Sequence, residues 1–391
     1  MKSSSLNIAI VGGGIGGLAA ALALRQAGFN ATVYERAPAI TEVGAGLGVW
    51  ANAMQVLDSL GIGARLRATG QPVEAAGIFS CTGRPLSVND LTTLTEEIGL
   101  PSFVMHRADL QWELLAALPE AAVVKGVRCQ GYRGLPNGRV ELNFDNTAPV
   151  VADLVIGADG FNSVIRSQLC GPTPVRYSGQ TCYRGVVDAP VPQPGLLAEI
   201  QGPGRRLGHC PLGPNRMYWW ACVNVPAGMR GWPALSGAQL AELFEGWPFG
   251  LANYIAATPA GSILRNDLCD RPPLAAWSRG PVTLLGDAAH PMLPNLGQGA
   301  CTAIEDAAVL ARCLRDEATV AGALAAYETE RIPRTSRMVK LSWQFGRLAR
   351  WSHPAAVRLR ETIFRLTPGT MMQQELRWQL AYNAGCPALS S

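Results

Sequence analysis

Short apolar runs that end on glycine recur along this chain, and the pattern changes from period two to helical spacing after several of them. Asn7–Val11 is β-branched and apolar, as a strand buried on both faces is. Leu18–Ala27, rich in alanine and leucine, predicts a helix that Gly28 stops, and Ala31–Tyr34 predicts a second strand ending on Glu35. Leu154–Ile156 and Val282–Leu285 read as two further buried strands; each ends on a glycine close to an acid, Asp159 and Asp287. Between these runs, Val43–Ile62 begins as a glycine-rich loop and becomes a helix. Its Gly44, Gly46 and Gly48 suit either a backbone next to a ligand or a tight turn. His106–Leu118 predicts a helix, and Ala121–Tyr132 and Arg139–Phe144 predict strands.

From Pro172 to Pro273 prolines and tryptophans are dense and long helical patterns rare, which predicts an antiparallel sheet. Its central hairpin turns at Gly213-Pro214-Asn215 and sets Cys210 opposite Tyr218 and Arg206 opposite Cys222. Arg206, Gly208, Cys210, Tyr218, Trp220 and Cys222 then share one face, and Arg205, Leu207, His209, Met217, Trp219 and Ala221 the other. The alternation does not say which face meets the core. After Gly286-Asp287, a helix is predicted from Ala300, with Glu305 and Asp306 early and Arg312 and Arg315 late, matching the helix dipole. Ala321–Arg331 is a further helix, stopped by Pro333. Thr335–Leu380 is helical and arginine-rich, with Trp343, Trp351 and Trp378 expected to pack on the body while the arginines are solvated.

Composition narrows the class. With 391 residues, 48% apolar and 16% charged, the chain suits a well-buried α/β protein of two domains. A net charge of +4, without a basic stripe interleaved with aromatics, gives no reason to expect nucleic acid. The N-terminal apolar run is too short for an export signal, no stretch approaches bilayer length, and the ten cysteines lack a C-x-x-C pair. Free thiols and a cytoplasmic location are therefore expected, and four scattered histidines argue against a metal site.

The strongest chemistry lies at Gly12, Gly14 and Gly17, spaced G-x-G-x-x-G between a strand and a helix, with Glu35 about twenty residues on. The first glycine permits the turn, the second lets a phosphate approach the backbone, and the third lets helix and strand pack closely. The helix start holds a pyrophosphate and Glu35 a ribose hydroxyl. The motif alone leaves open whether FAD or NAD(P) binds.

Together with Gly157-Ala158-Asp159-Gly160, and with Gly286-Asp287 leading to Leu296-Gly297-Gln298-Gly299, this motif resembles the single-component, group A FAD-dependent monooxygenases. Within them the chain is similar to the salicylate hydroxylase, zeaxanthin epoxidase and FAD-dependent urate hydroxylase branch. The resemblance implies a Rossmann-like α/β FAD-binding domain of the GR2 type over residues 1–75, 102–175 and 275–335. An antiparallel-sheet substrate domain, 76–101 and 176–274, is inserted into it, and 336–391 forms a C-terminal helical segment. It implies FAD, with Glu35 and the neighbouring Arg36 at the adenosine ribose, Arg107 at the pyrophosphate and Val127 against the adenine. Asp159 would serve both FAD and NAD(P)H, Asp287 the ribityl–phosphate region, and Gly299 and Ala300 the flavin pyrimidine edge. NADPH or NADH is implied as a transient co-substrate, and dioxygen as the oxidant through a flavin C4a-hydroperoxide that hydroxylates or epoxidises an electron-rich aromatic or heteroaromatic small molecule. Arg206 and Tyr218 match an arginine and a tyrosine that line the substrate site of the urate hydroxylase-like members. Asn295 stands where those members carry an aspartate; an amide cannot be a carboxylate base or pair with a cation, which favours a neutral or phenolic substrate. Reduction or halogenation by a related flavoenzyme, a urate-type purine oxidase and a flavin-binding protein without turnover are the alternatives. A monomer or homodimer without a transmembrane segment is expected.

Overall fold

Four of the five residues of Asn7–Val11 are buried because this strand is central in a parallel sheet. A computed structural model describes residues 6–39, 45–191, 193–226 and 235–385. The strand order is Val282–Leu284, Leu154–Gly157, Asn7–Val11, Asn30–Glu35 and Val123–Lys125, with every neighbouring pair parallel. The helix after the first strand spans Ile15–Gln26, so it begins inside the glycine motif. It ends in a Schellman turn: Phe29 N–H donates to Leu24 O and Gly28 N–H to Arg25 O, each at 3.0 Å, with Gly28 at φ +87°.

A seven-stranded sheet runs Leu264–Asp270, Arg176–Asp188, Arg216–Asn224, Arg205–Gly213, Leu196–Gly202, Ala75–Ser80 and Pro85–Asp90. All neighbours are antiparallel except the Leu196–Gly202 and Ala75–Ser80 pair. The central hairpin has the expected register, with Cys210 opposite Tyr218 and Arg206 opposite Cys222. The structure also settles the faces. Leu207, Met217, Trp219 and Ala221 pack with Leu240, Leu251 and Ile255 of two short helices and with Phe244 between them, whereas Cys210, Tyr218 and Trp220 turn toward the core around the parallel sheet.

Several expectations are corrected. Gly46 and Gly48 lie in a strand, Gly46–Val49, paired with Ser102–His106, and not in a loop; Gly44 lies outside the described residues. A Cβ on Gly46 would sit 2.4 Å from the Tyr218 ring, so this glycine makes room for the ring. Ala121–Tyr132 holds two strands, Val123–Lys125 and Cys129–Gly134, separated where Gly126 takes φ +75°. Pro333 does not end a helix: Val320–Ala349 is continuous through it. The lost backbone bond costs about 3 kcal/mol, but Arg331 and Arg334 on either side of the proline are both tied to Glu305, which holds the two halves in line. The arginines of Thr335–Leu380 are exposed as expected, Arg360 excepted, and Arg337 lies 3.7 Å over the Trp378 ring; Arg331 and Arg334, just before this stretch, are buried, Arg334 4.0 Å over the Tyr382 ring.

Candidate functional site

Each glycine of the first motif meets a different surrounding. Gly12 has φ +112°, and a Cβ there would lie 2.4 Å from Ala158 O. On Gly17 a Cβ would lie 1.9 Å from Gly12 O, so strand and helix touch backbone to backbone. A Cβ on Gly14 would meet nothing within 4 Å, which leaves that side of its backbone open. Glu35 closes the far side: its Oε2 accepts from Gly13 N–H at 2.6 Å and its Oε1 from Ala37 N–H at 2.8 Å. Gln111, which the sequence did not single out, donates from Nε2 to Gly13 O at 2.8 Å. It stands one helical turn after Arg107, an exposed arginine at the start of the same helix. Arg36 is exposed beside Glu35, and Val127 is buried, its N–H donating to Glu35 O at 3.0 Å. That bond leaves the Val127 carbonyl as its remaining backbone group. A cavity of about 310 Å³ opens next to this end, lined by Pro38, Ala39, Trp112, Leu115, Ala116 and Lys125. A larger one, about 600 Å³, lies away from these motifs between Tyr177, Asn224 and Arg350–His353.

The second half of the groove forms where the strand Val282–Leu284 ends. A Cβ on Gly16 would lie 2.8 Å from Leu285 Cδ2 and 3.1 Å from Ala303 Cβ, and one on Gly286 3.1 Å from the same Ala303. The starts of the Ile15–Gln26 and Gly299–Asp316 helices are thereby brought together beside Gly286-Asp287. Among the described residues no side chain caps either start, which leaves their first N–H groups available to a ligand. Asp287 has open surface, yet protein crowds its remaining sides enough that burial raises its carboxyl pKa, with His290 and Arg107 opposing. Among the described residues it makes no hydrogen bond. Its turn is clamped from below by Arg166, whose Nη1 donates to Ala288 O at 2.8 Å and Ala289 O at 2.9 Å. Asp159 is engaged otherwise: Oδ2 accepts from Val164 and Ile165 N–H at 2.7 and 3.3 Å, while buried Oδ1 has no partner.

Beneath the groove lies a charge network the sequence reading assigned to the helix dipole. Glu305 and Asp306 are wholly buried. Arg331 reaches both, from Nη2 to Glu305 at 2.6 Å and from Nε to Asp306 at 2.7 Å, while Arg334 pairs with Glu305 and His290 Nε2 with Asp306 at 2.6 Å. Asp306 Oδ2 also accepts from Gly286 N–H at 3.1 Å, and Glu305 from Asn52, which bonds Gln298 at 3.0 Å. The network therefore fixes both the Asp287 turn and the Gln298-Gly299 helix start. Burial alone would raise the Asp306 pKa, but His290 and Arg331 bring it down to about 2. A depressed carboxylate stabilises the fold above its unfolded value, about 3.9. Acid unfolding followed by circular dichroism is expected to show this contribution lost as pH falls from about 4 through about 2.

Facing the helix start is the inner side of the seven-stranded sheet. Tyr218 packs against Gly46 and 5.5 Å from the Trp220 ring; burial holds its phenol protonated, and among the described residues its hydroxyl has no partner. Arg206 is only 2% exposed. Its Nη1 donates to Glu199 Oε2 at 3.2 Å and its Nη2 to Asn295 Oδ1, whose Nδ2 donates to Ser342 O at 2.7 Å. Asn295 thus accepts a hydrogen bond from Arg206 through its amide oxygen but, being neutral, supplies it no countercharge. His209 lies on the opposite face, fully buried against Phe249 with its pKa lowered to about 4 by burial, and His290 is locked to Asp306, so neither is placed to move protons in the groove. Cys81, Cys129, Cys170, Cys182, Cys210, Cys222, Cys301 and Cys313 are free thiols, and no cluster of metal-binding side chains occurs among the described residues. No helix of the described residues is long and apolar enough to cross a membrane.

A glycine turn with one open glycine, an acid at the second strand end and two uncapped helix starts fit an extended dinucleotide, with its phosphates at one helix and its ring end at the other. The residues present define an α/β flavoprotein of the FAD-binding type. Residues 5–342 match the FAD binding domain family, and the chain belongs to it. It is 37% identical to the aurachin C monooxygenase/isomerase of Stigmatella aurantiaca over 97% of this chain and 99% of that one. To the 2-heptyl-3-hydroxy-4(1H)-quinolone synthase of Pseudomonas aeruginosa (strain UCBPP-PA14) it is 36% identical, over 93% and 94%. The Klebsiella pneumoniae HpxO structure complexed with FAD and uric acid superposes with a TM-score of 0.89 at 28% identity, covering 98% of this chain and 99% of that one. The protein is an FAD-dependent monooxygenase of the group A type, a class for which NAD(P)H is the usual reductant.

Proposed function

We propose that this enzyme inserts oxygen into a small, neutral, electron-rich heteroaromatic ring of the 4-quinolone kind, held between the Tyr218–Trp220 face and the Asn295–Gly299 turn. The observation that carries the reading is this aromatic face opposite an uncapped helix start. The name of one relative supports the ring class, since it is a 2-heptyl-3-hydroxy-4(1H)-quinolone synthase. Glu35 would hold the adenosine ribose with Arg36 and Val127 beside it, Gly14 the pyrophosphate with Arg107, and Asp287 the ribityl chain. Asp159, with one oxygen unpaired, would hold the loop along which NAD(P)H approaches. Residues 1–75, 102–175 and 275–335 would form the cofactor domain, 76–101 and 176–274 the substrate domain, and 336–391 a brace. A cytoplasmic monomer or homodimer completes the proposal.

Bound FAD supplies hydride acceptance from NAD(P)H and activation of dioxygen. The chain's own part is orientation and exclusion of water. Gly299 and Ala300 N–H groups, at the positive end of an 18-residue helix, stabilise negative charge without a side chain that could react. Tyr218 keeps its proton and can donate it as a hydrogen bond to a ring carbonyl or accept one from a ring N–H. The apolar cluster behind Trp219 makes the opposite face of the sheet a dry backing.

The test is a comparison of 4(1H)-quinolones, phenols and purines for stimulation of NAD(P)H oxidation with oxygen uptake. A quinolone product heavier by one oxygen atom is expected; stimulation by purines alone would overturn the ring assignment. Asp287→Ala is expected to purify largely colourless but folded. A fully yellow, active variant would remove Asp287 from the cofactor site.

A further inference from the structure

The charge of Arg206 is answered from the neighbouring strand of the same sheet. Glu199, on the neighbouring strand Leu196–Gly202, is 9% exposed. Its two oxygens take donors from three side chains: Arg206 Nη1 at 3.2 and 3.5 Å, Gln201 Nε2 at 2.8 Å and Trp220 Nε1 at 3.3 Å. Arg206 in turn bonds Asn295 at the turn before the Gly299 helix start. Trp220 stacks on Tyr218 in the face that looks into the groove. The buried ion pair therefore lies on the same face of the sheet as the wall that meets the ring, beside Trp220, with its positive member bonded to the cofactor loop and its negative member to the indole N–H.

We propose that Glu199 sets the substrate's charge: by neutralising Arg206 it makes the ring site electrically neutral and turns away carboxylated or otherwise anionic aromatics. The inference rests on the ring-site reading above. It explains how Asn295 is tolerated beside a buried arginine. With an amide at 295, the counter-charge comes from the sheet, where the Trp220 N–H also binds it. Desolvation works against the charge on Arg206, but Cys222 and the Glu199 carboxylate outweigh it and keep the guanidinium protonated. Any change that removes Glu199 thus leaves a full positive charge in a low-dielectric wall, where it acts over several ångströms. Glu199 touches neither the ring nor the cofactor in this arrangement; it is a positioning residue that works through field and hydrogen bonds.

The experiment uses FAD-loaded enzyme and reads binding through the perturbation of the flavin absorbance, with salicylate as the anionic probe, unsubstituted 4(1H)-quinolone as the neutral one and N-methylquinolinium as the cationic one. Glu199→Gln keeps the shape and frees Arg206, so salicylate is expected to bind about tenfold tighter or better than to the parent enzyme. Arg206→Gln leaves the Glu199 carboxylate alone, so N-methylquinolinium is expected to gain instead. The double Glu199→Gln, Arg206→Gln variant restores neutrality and is expected to lose both gains. Opposite shifts in the two single variants are something loss of packing does not produce. Flavin-loaded single variants whose preference among the three probes equals that of the parent overturn the proposal. If one single variant purifies without flavin, the other decides. Absence of any oxygenated quinolone from the parent enzyme would instead defeat the ring-class reading, and leaves the charge test intact because that test reads binding.

Discussion

Arg331→Gln is expected to destabilise the enzyme by about 3–5 kcal/mol, because it strands two buried carboxylates. Arg331 is fully buried and its fork serves Glu305 at 2.6 Å, Asp306 at 2.7 Å and the Thr302 carbonyl at 3.2 Å. Arg334 and His290 remain as partners after the substitution, but each touches one acid only. The loss corresponds to a fall in Tm of about 5–10 °C, read by thermal unfolding of the flavin-free protein so that cofactor release does not contribute. A second readout follows from the connections. Asp306 holds Gly286 N–H, and Glu305 reaches Gln298 through Asn52, so both cofactor-facing turns loosen together. Flavin affinity is therefore expected to fall along with Tm. An unmoved Tm in Arg331→Gln would show that the network adds no stability. Replacing Arg331, Glu305 and Asp306 together by apolar residues of similar volume is the informative control, since a buried pair removed whole costs far less than one broken.

This network also marks the limit of what the sequence carried. The parallel sheet was legible because its strands are buried on both faces and read as continuous apolar runs. The hairpin register was legible because a tight turn fixes which residues oppose each other. Charge destination was not. Glu305 and Asp306 look like ordinary early-helix acids until Arg331 and Arg334 arrive from a second helix some 25 to 29 residues on. Pro333 concealed that helix by suggesting an end where there is none. Glu199 had no local signal either: it sits on a strand that proline and glycine neighbours obscure, and its partners come from its own strand and from the two that follow. The nearest available cue was the unusual Asn295, which announced that Arg206 needed its countercharge from elsewhere. Gly46 shows the same limit in the other direction, since a glycine suited to a ligand loop turned out to make room for the Tyr218 ring.

The glycine motif separates a structural requirement from a cofactor requirement within three positions, and the two are expected to fail differently. Gly17→Ala places a methyl 1.9 Å from the Gly12 carbonyl oxygen, with Ala158 Cβ at 3.4 Å behind it. Backbone on one side and the buried Leu154–Gly157 strand on the other leave no rotamer to relieve the contact, since an alanine methyl has none. The first helix must move off the sheet, and little soluble protein is expected. Gly14→Ala is different: φ is −72° and ψ 178°, which alanine adopts freely, and no protein atom lies within 4 Å of the added methyl. That variant is expected to fold with a Tm within a few degrees of the parent's, yet to bind FAD at least about tenfold more weakly, because the methyl occupies the space where a phosphate meets the open N–H groups. Fluorescence titration with FAD on the apoprotein reads the affinity, and thermal unfolding of the same apoprotein reads the fold. Equal flavin affinity in Gly14→Ala and the parent would place the pyrophosphate elsewhere and take the groove's orientation with it. A stable, flavin-loaded Gly17→Ala would mean that the strand and helix do not meet at the distance their backbones show.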